Sequence, residues 1–319
     1  MTAFLLGRAV WSASVVWLVA TAVFVIYFAV PRDAARLVAG SRASAQTLAL
    51  VRARLGLDRP LVSQYVAFLG RLRRGDLGES FLTQERVTTI IARDAAVSGS
   101  LALGGVVLWL ALGIGAGVAA ARRPTSRAAR TLEAAALACY SMPPFLIGQL
   151  LLFFLFFRLS RAGLDLFPPG SYVAFTDDPW RWAHFLVLPW VSVALVTAAT
   201  YSRLTKSVLL ETLQENYIRA ARAKGVSESR IVYGHALRAS LAPVMNQLGA
   251  DVGGLVGGLV VIEVVFGLPG LGREAVQALS TQDLPVIMGI AIVSALFVVT
   301  ANFAVDVAHV LIDPRLRTN

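Results

Sequence analysis

The sequence predicts an all-α membrane protein with six spanning helices, and three observations carry that prediction. Of its 319 residues, 57% are hydrophobic and only 15% are charged, where a soluble domain is about one quarter charged. Mean hydropathy is +0.69. The apolar residues fall in blocks of about twenty, the length that crosses a bilayer core as a helix, and Arg-rich or Pro/Gly-rich stretches separate them.

The first apolar run, 11–30, follows Arg8 and ends in Val30-Pro31-Arg32-Asp33. It is long for a signal-peptide core and no small-residue cleavage site follows, so it reads as a retained span. Residues 31–95 are polar and mixed, with an amphipathic helix expected around 44–55 and a turn at Arg74-Gly75-Asp76-Leu77-Gly78. They form a loop or small subdomain, so the chain divides at 1–95 and 96–319. Span two is expected at 98–121, stopped by Arg122-Arg123-Pro124, and span three at 132–157, broken by Met142-Pro143-Pro144. After a loop at 158–181, span four is expected at 184–202 with Pro189 inside it. Span five is expected at 244–265 and span six at 285–311, with a Gly/Pro loop between them.

Net charge is +10. The basic residues lie between apolar runs and not on a polar domain with interleaved aromatics, which argues against nucleic-acid binding and for basic loops at a membrane surface. Loop 122–130 carries four Arg and loop 203–240 seven Arg or Lys, against three in loop 158–182 and one in loop 266–284. This bias places both termini inside. The eleven basic residues of 31–95 run against it, but that loop is longer than those over which the rule holds. Cys139 is the single cysteine, so no intrachain disulfide forms, and His184, His235 and His309 are too scattered for a metal site.

The stretch 203–243 is the informative one. Residues 207–224 have helical spacing, Gly225 is placed to end that helix in a left-handed conformation, and Ser227 or Ser229 can cap a second. The result is a helix–turn–helix in a loop that topology places inside. Its tip is small (Ala220, Ala221, Ala223, Gly225) and basic (Arg219, Arg222, Lys224). Two readings are open on physical grounds: a docking element for a soluble partner, or an interfacial amphipathic helix made basic by topology.

The run YIRAARAKG (217–225), followed by HALRASLAP (235–243), resembles the "EAA" loop of ABC importer permeases, in the form found in dipeptide, oligopeptide and nickel permeases, with Arg219 in place of the usual glutamate. LGLDRPLVSQYVAFLGRLRRGDLGESF (55–81), EVVFGLPGLG (263–272) and DPRLR (313–317) match the same family, so the resemblance covers nearly the whole chain. VPRDAARL (30–37) departs from it, standing where the family has a proline-glycine-aspartate-proline turn. The resemblance implies a type I ABC importer permease fold in a bacterial plasma (inner) membrane, with a cytoplasmic coupling helix. Tyr217, Arg219, Ala220, Ala221, Arg222, Ala223, Lys224, Gly225 and His235 then form the ATPase-coupling segment. It implies a second homologous permease subunit, two cytoplasmic ABC ATPase subunits, an extracytoplasmic solute-binding protein, and a peptide, nickel or similar small solute as cargo. No G-x-x-x-x-G-K-[ST] occurs, so ATP and Mg are expected on partner subunits, with no cofactor and no catalytic residue in this chain.

Span five is glycine-dense. Gly249, Gly253 and Gly257 recur every four residues, as do Gly254 and Gly258. Such spacing permits close helix approach, and serves either packing or a pore-lining face. Glu263 near its outer end and Asp251 near its inner end are functional candidates, as ionisable groups in a span are by default. The competing classes are an ion-coupled secondary transporter, which would want inverted repeats and ionisable groups at mid-span, and a non-transporting membrane scaffold, which would not need the 217–243 pattern.

Overall fold

The computed structural model describes residues 2–29, 43–55, 58–168 and 170–312. Among them the regular structure is helical apart from one isolated bridge between Glu79 and Arg86. The helices are α1 (Thr2–Ala29), α2 (Ala45–Leu55), α3 (Leu61–Arg73), α4 (Val87–Arg122), α5 (Arg127–Tyr140), α6 (Pro144–Arg161), α7 (Pro179–Thr212), α8 (Asn216–Ala223), α9 (Glu228–Phe266), α10 (Leu271–Thr281) and α11 (Leu284–Ile312). Five of them, α4, α6, α7, α9 and α11, are long and apolar enough to cross a membrane, and α1 carries a shorter apolar core, Val10–Ile26. The 30–37 departure from the family and the 313–317 match lie outside the described residues.

Two expectations need correction. Span three is not one broken helix over 132–157. The residue before a proline resists the α conformation, and Met142 and Pro143 both precede one. The chain therefore turns extended at Pro143 (φ −63°, ψ 144°) and restarts with Pro144 as the first helical residue. Only α6 is long and apolar enough to cross a membrane; α5 is a separate amphipathic helix that carries Arg127, Arg130 and Glu133. The expected helix at 207–224 is also two pieces: α7 runs on to Thr212, the chain turns over 213–215, and α8 begins at Asn216. The remaining spans outrun their apolar blocks, because apolarity marks the bilayer-crossing part of a helix and not its ends. At 1.5 Å per residue, α9 is about 58 Å long against a hydrocarbon core of about 30 Å.

The chain divides into two compact units, residues 1–2, 96–273 and 300–319 in one and residues 3–95 and 274–299 in the other. The first is built on α4, α7 and α9. Leu248, Val252, Leu255, Leu259, Ile262 and Phe266 recur at three- and four-residue steps on one face of α9, and they bury against a core that includes Leu101 and Trp109 of α4 and Leu186, Ala194 and Tyr201 of α7. Glycine lets α4 approach α7 closely: a Cβ at Gly113 or Gly117 would stand 2.5 Å from Tyr201 or 2.6 Å from Thr205. Along the side of α7, Lys206 pairs with Glu133 and the Arg203 guanidinium lies over the Tyr140 ring, which fasten α5.

In the second unit α1 meets α3 through Phe24, whose ring lies 5.1 Å from Tyr65 and 5.5 Å from Phe68, and through Thr21 Oγ1 with Tyr65 Oη at 2.7 Å. The loop after α3 turns at Gly75 and Gly78, both with positive φ. Buried Asp283 then holds its next residues, accepting from the Ser80 hydroxyl and from the backbone N–H of Phe81 and Leu82.

Candidate functional site

The docking candidate is a knob whose interior is its own. Ile218 of α8 is fully buried and packs with Leu209 of α7, Val118 and Ala121 of α4, and Ile231, Val232 and Ala236 of α9. The knob is thus clamped between helices that run directly into the spans. Its turn is a Schellman motif: Gly225 N–H donates to Arg222 O (3.0 Å) and Val226 N–H to Ala221 O (3.2 Å), with Gly225 at φ +77°. Gly225 is required by that dihedral and not by crowding, since a Cβ there would meet nothing within 4 Å.

The sequence-predicted residues part into two groups. Tyr217, Arg219, Ala220, Ala223, Lys224, Gly225 and His235 are exposed. Burial and neighbouring Glu215 push the Tyr217 phenol above its ordinary range. Ala221 is half-buried against the knob's own cluster. Arg222 is exposed but engaged: its Nε donates to Glu228 Oε1 at 2.6 Å and its Nη1 to Leu213 O at 3.3 Å, which ties α8 to the start of α9 and to the turn after α7. Residues Ile231–Ala236 of α9 wind as a π-helix. This brings Ile231, Val232 and Ala236 inward and leaves Tyr233 and His235 outward, with the Tyr233 ring under the Arg122 guanidinium.

The glycines of α9 also part. Gly249 faces Val305 of α11, and Gly253 is half-buried. Gly254, Gly257 and Gly258 are exposed, and a Cβ on any of them would meet nothing within 4 Å. They form a bare strip on a membrane-crossing helix.

Glu263 is fully buried and turned inward. Its Oε2 accepts from the backbone N–H of Gly272 (2.8 Å) and Arg273 (3.0 Å), and its Oε1 from the Ser98 hydroxyl (2.6 Å), while Ser98 Oγ itself accepts from Leu271 N–H (2.9 Å). The first three N–H groups of α10 are thereby satisfied, and the carboxylate sits at the positive end of that helix. The glycines of EVVFGLPGLG make room: a Cβ on Gly270 would stand 2.4 Å from the Glu263 carboxyl carbon, and one on Gly272 2.6 Å from the Val260 backbone. Ser98 had no signal in the sequence, since it lies 165 residues from its partner.

Taken together, the fold is that of a polytopic helical membrane protein in which an ordered knob is packed against the ends of its spans. The chain belongs to the family described as binding-protein-dependent transport system inner membrane component, whose profile matches residues 113–318. A companion profile for the N-terminal part of such membrane components matches residues 1–102. Over 317 residues and 99% of both chains it is 38% identical to a Brucella abortus protein named "Putative peptide transport system permease protein". It is 32% identical, over 99% of this chain and 100% of the other, to one from Sinorhizobium fredii named "Probable peptide ABC transporter permease protein". Identity is 34%, over 94% of each chain, with a glutathione transport system permease protein of Salmonella choleraesuis. The chain is therefore a transport component of an ABC system that includes other subunits.

Proposed function

We propose that this chain forms one half of the translocation path of an ATP-driven importer for peptides. A second homologous permease supplies the other half, two cytoplasmic ATPase subunits drive it, and an extracytoplasmic binding protein delivers the cargo. The names of the relatives support peptide cargo. The knob carries the mechanism. Its outward surface is small and basic at Arg219, Ala220, Ala223, Lys224 and Gly225, so a partner's backbone can approach closely and its acidic groups find charge. Its inward surface is an apolar cluster shared with α4, α7 and α9. Because packed side chains deform little, movement of an ATPase subunit against the knob is passed to those helices and not absorbed in a loop. Arg222 and Glu228 hold the knob's shape, Ala221 its floor, and His235 lies on the adjoining π-helical stretch of α9. The bare strip of Gly254, Gly257 and Gly258 faces the path or the second permease.

The test uses two variants in the assembled transporter. Gly225→Val forces a β-branched residue into a left-handed conformation, at about 1–2 kcal/mol, and Ala220→Trp puts bulk on the exposed tip. Both are expected to leave insertion and abundance near normal while uptake into vesicles falls away from ATP hydrolysis, or the ATPases fail to co-purify. Wild-type uptake together with wild-type ATPase retention in both would overturn the assignment of the knob.

A further inference from the structure

Asp251 lies about 10 Å into the apolar run of α9 that starts at Val244, counting 1.5 Å per residue. Two neutral donors hold its carboxylate, the Tyr201 hydroxyl on Oδ2 at 2.9 Å and the Gln247 amide on Oδ1 at 3.0 Å. Among the described residues it has no cationic partner. A carboxylate accepts about four hydrogen bonds, so it has capacity left. It is half-buried, where Glu263 on the same helix is fully buried with its donors around it. Residues 247, 251, 254 and 258 share one stripe by their four-three-four spacing, so beyond Asp251 the stripe continues as bare backbone at Gly254 and Gly258, open to whatever lies outside this chain. A negative group at membrane depth is costly to leave without a counter-charge. Tyr201 fixes its direction from the core side, and the glycines clear an approach for a chain-like ligand.

We propose that Asp251 is a cargo-contact site on the path, where it takes the primary ammonium group of a passing peptide. This rests on the importer reading above. The α-amino terminus is the ammonium that every unblocked peptide carries, and a lysine side chain offers the same chemistry.

The test reconstitutes the complete transporter in vesicles and measures uptake per ATP hydrolysed for tri-alanine and for its N-acetylated form, each supplied on loaded binding protein. Asp251→Asn keeps the shape and removes the charge; Asp251→Glu keeps the charge. Asp251→Asn is expected to lower tri-alanine uptake by about tenfold, the scale of one charge-assisted hydrogen bond. Uptake of the acetylated form should be unchanged, and Asp251→Glu should retain most of the activity toward both. A lysine-containing acetylated peptide that regains sensitivity to Asp251→Asn would identify the side-chain ammonium as an equivalent source. Equal effects of Asp251→Asn on free and acetylated cargo, or no effect on either, would overturn the proposal. So would failure of the Asp251→Asn complex to assemble, which would assign the counter-charge to the second permease. A wild-type complex that hydrolyses ATP but imports neither peptide would instead overturn the importer reading.

Discussion

At the Phe266 end of α9, the turn into α10 is held by polar groups facing inward: Glu263 and Ser98 satisfy the N–H groups of Leu271, Gly272 and Arg273. At the Glu228 end, the knob is held by apolar groups facing inward, with Ile218, Ile231 and Val232 beneath and Tyr217, Arg219 and Lys224 outside. At the Glu263 end the buried carboxylate and the Ser98 hydroxyl are engaged within the turn itself. The knob is anchored chiefly by non-directional burial, with Arg222 alone of its basic residues tied down, to Glu228 and Leu213 O, and Tyr217, Arg219 and Lys224 are left on the outside. A carboxylate in a span is therefore not evidence of transport chemistry by itself; its donors decide. Asp251 on the same helix differs in being half-buried and held by two donors, Tyr201 and Gln247, with no backbone N–H among them.

The contrast can be broken in several places. Glu263→Ala leaves one buried and two part-buried donors without their acceptor and should cost about 3 kcal/mol or more, read as loss of folded protein in detergent whatever partners are present. Ile218→Ala should cost about 2–5 kcal/mol through the cavity it opens. Because the cavity lies under the knob, the expected signature is protease sensitivity near Gly225 and loss of ATPase co-purification, with the melting of the spans little changed. Arg219→Ala and Lys224→Ala touch only the exposed face. Each should change stability by about 0.5 kcal/mol or less while ATPase retention falls, more so at high salt. If stability and ATPase retention fell in proportion in these two, the division between a structural interior and a docking exterior would be wrong.

The smallest effect concerns Glu274 of α10, in the second unit. Burial, and after it the charge of Asp94, raise its carboxyl above the ordinary range. A raised acid binds its proton more tightly in the folded than in the unfolded state. Its contribution to stability is thus fully present at pH below the ordinary carboxylate range and is lost as pH rises through the raised value. Glu274→Gln should flatten this part of the pH dependence of the melting temperature in detergent; an unchanged slope would place the dependence on another group.

What the sequence revealed followed the range of the interaction. Gly225 was legible because a left-handed helix end needs a glycine within one turn of local pattern. The Pro143-Pro144 break was legible for the same reason, although not that it separates a span from an amphipathic helix. The end of α7 at Thr212 was hidden, since Leu209, Leu210 and Leu213 keep helical spacing across the turn. The roles of Ser98 and Ser80 were invisible: each meets its carboxylate across 165 or 203 residues, and nothing local distinguishes a serine that will cap a distant helix from one that will not.

The π-helical turn at Ile231–Ala236 has a consequence of phase. A π turn takes up about one residue more than an α turn, and one residue of an α-helix is about 100° of rotation. The two ends of α9 are therefore written in different registers. The residues that close the knob and those that form the Asp251 stripe are offset by one residue in sequence phase although they share one continuous backbone. Removing a single residue within 231–236 would let this stretch close as α turns with the tip near its present angle, so the change would fall on which of the stretch's own side chains face inward.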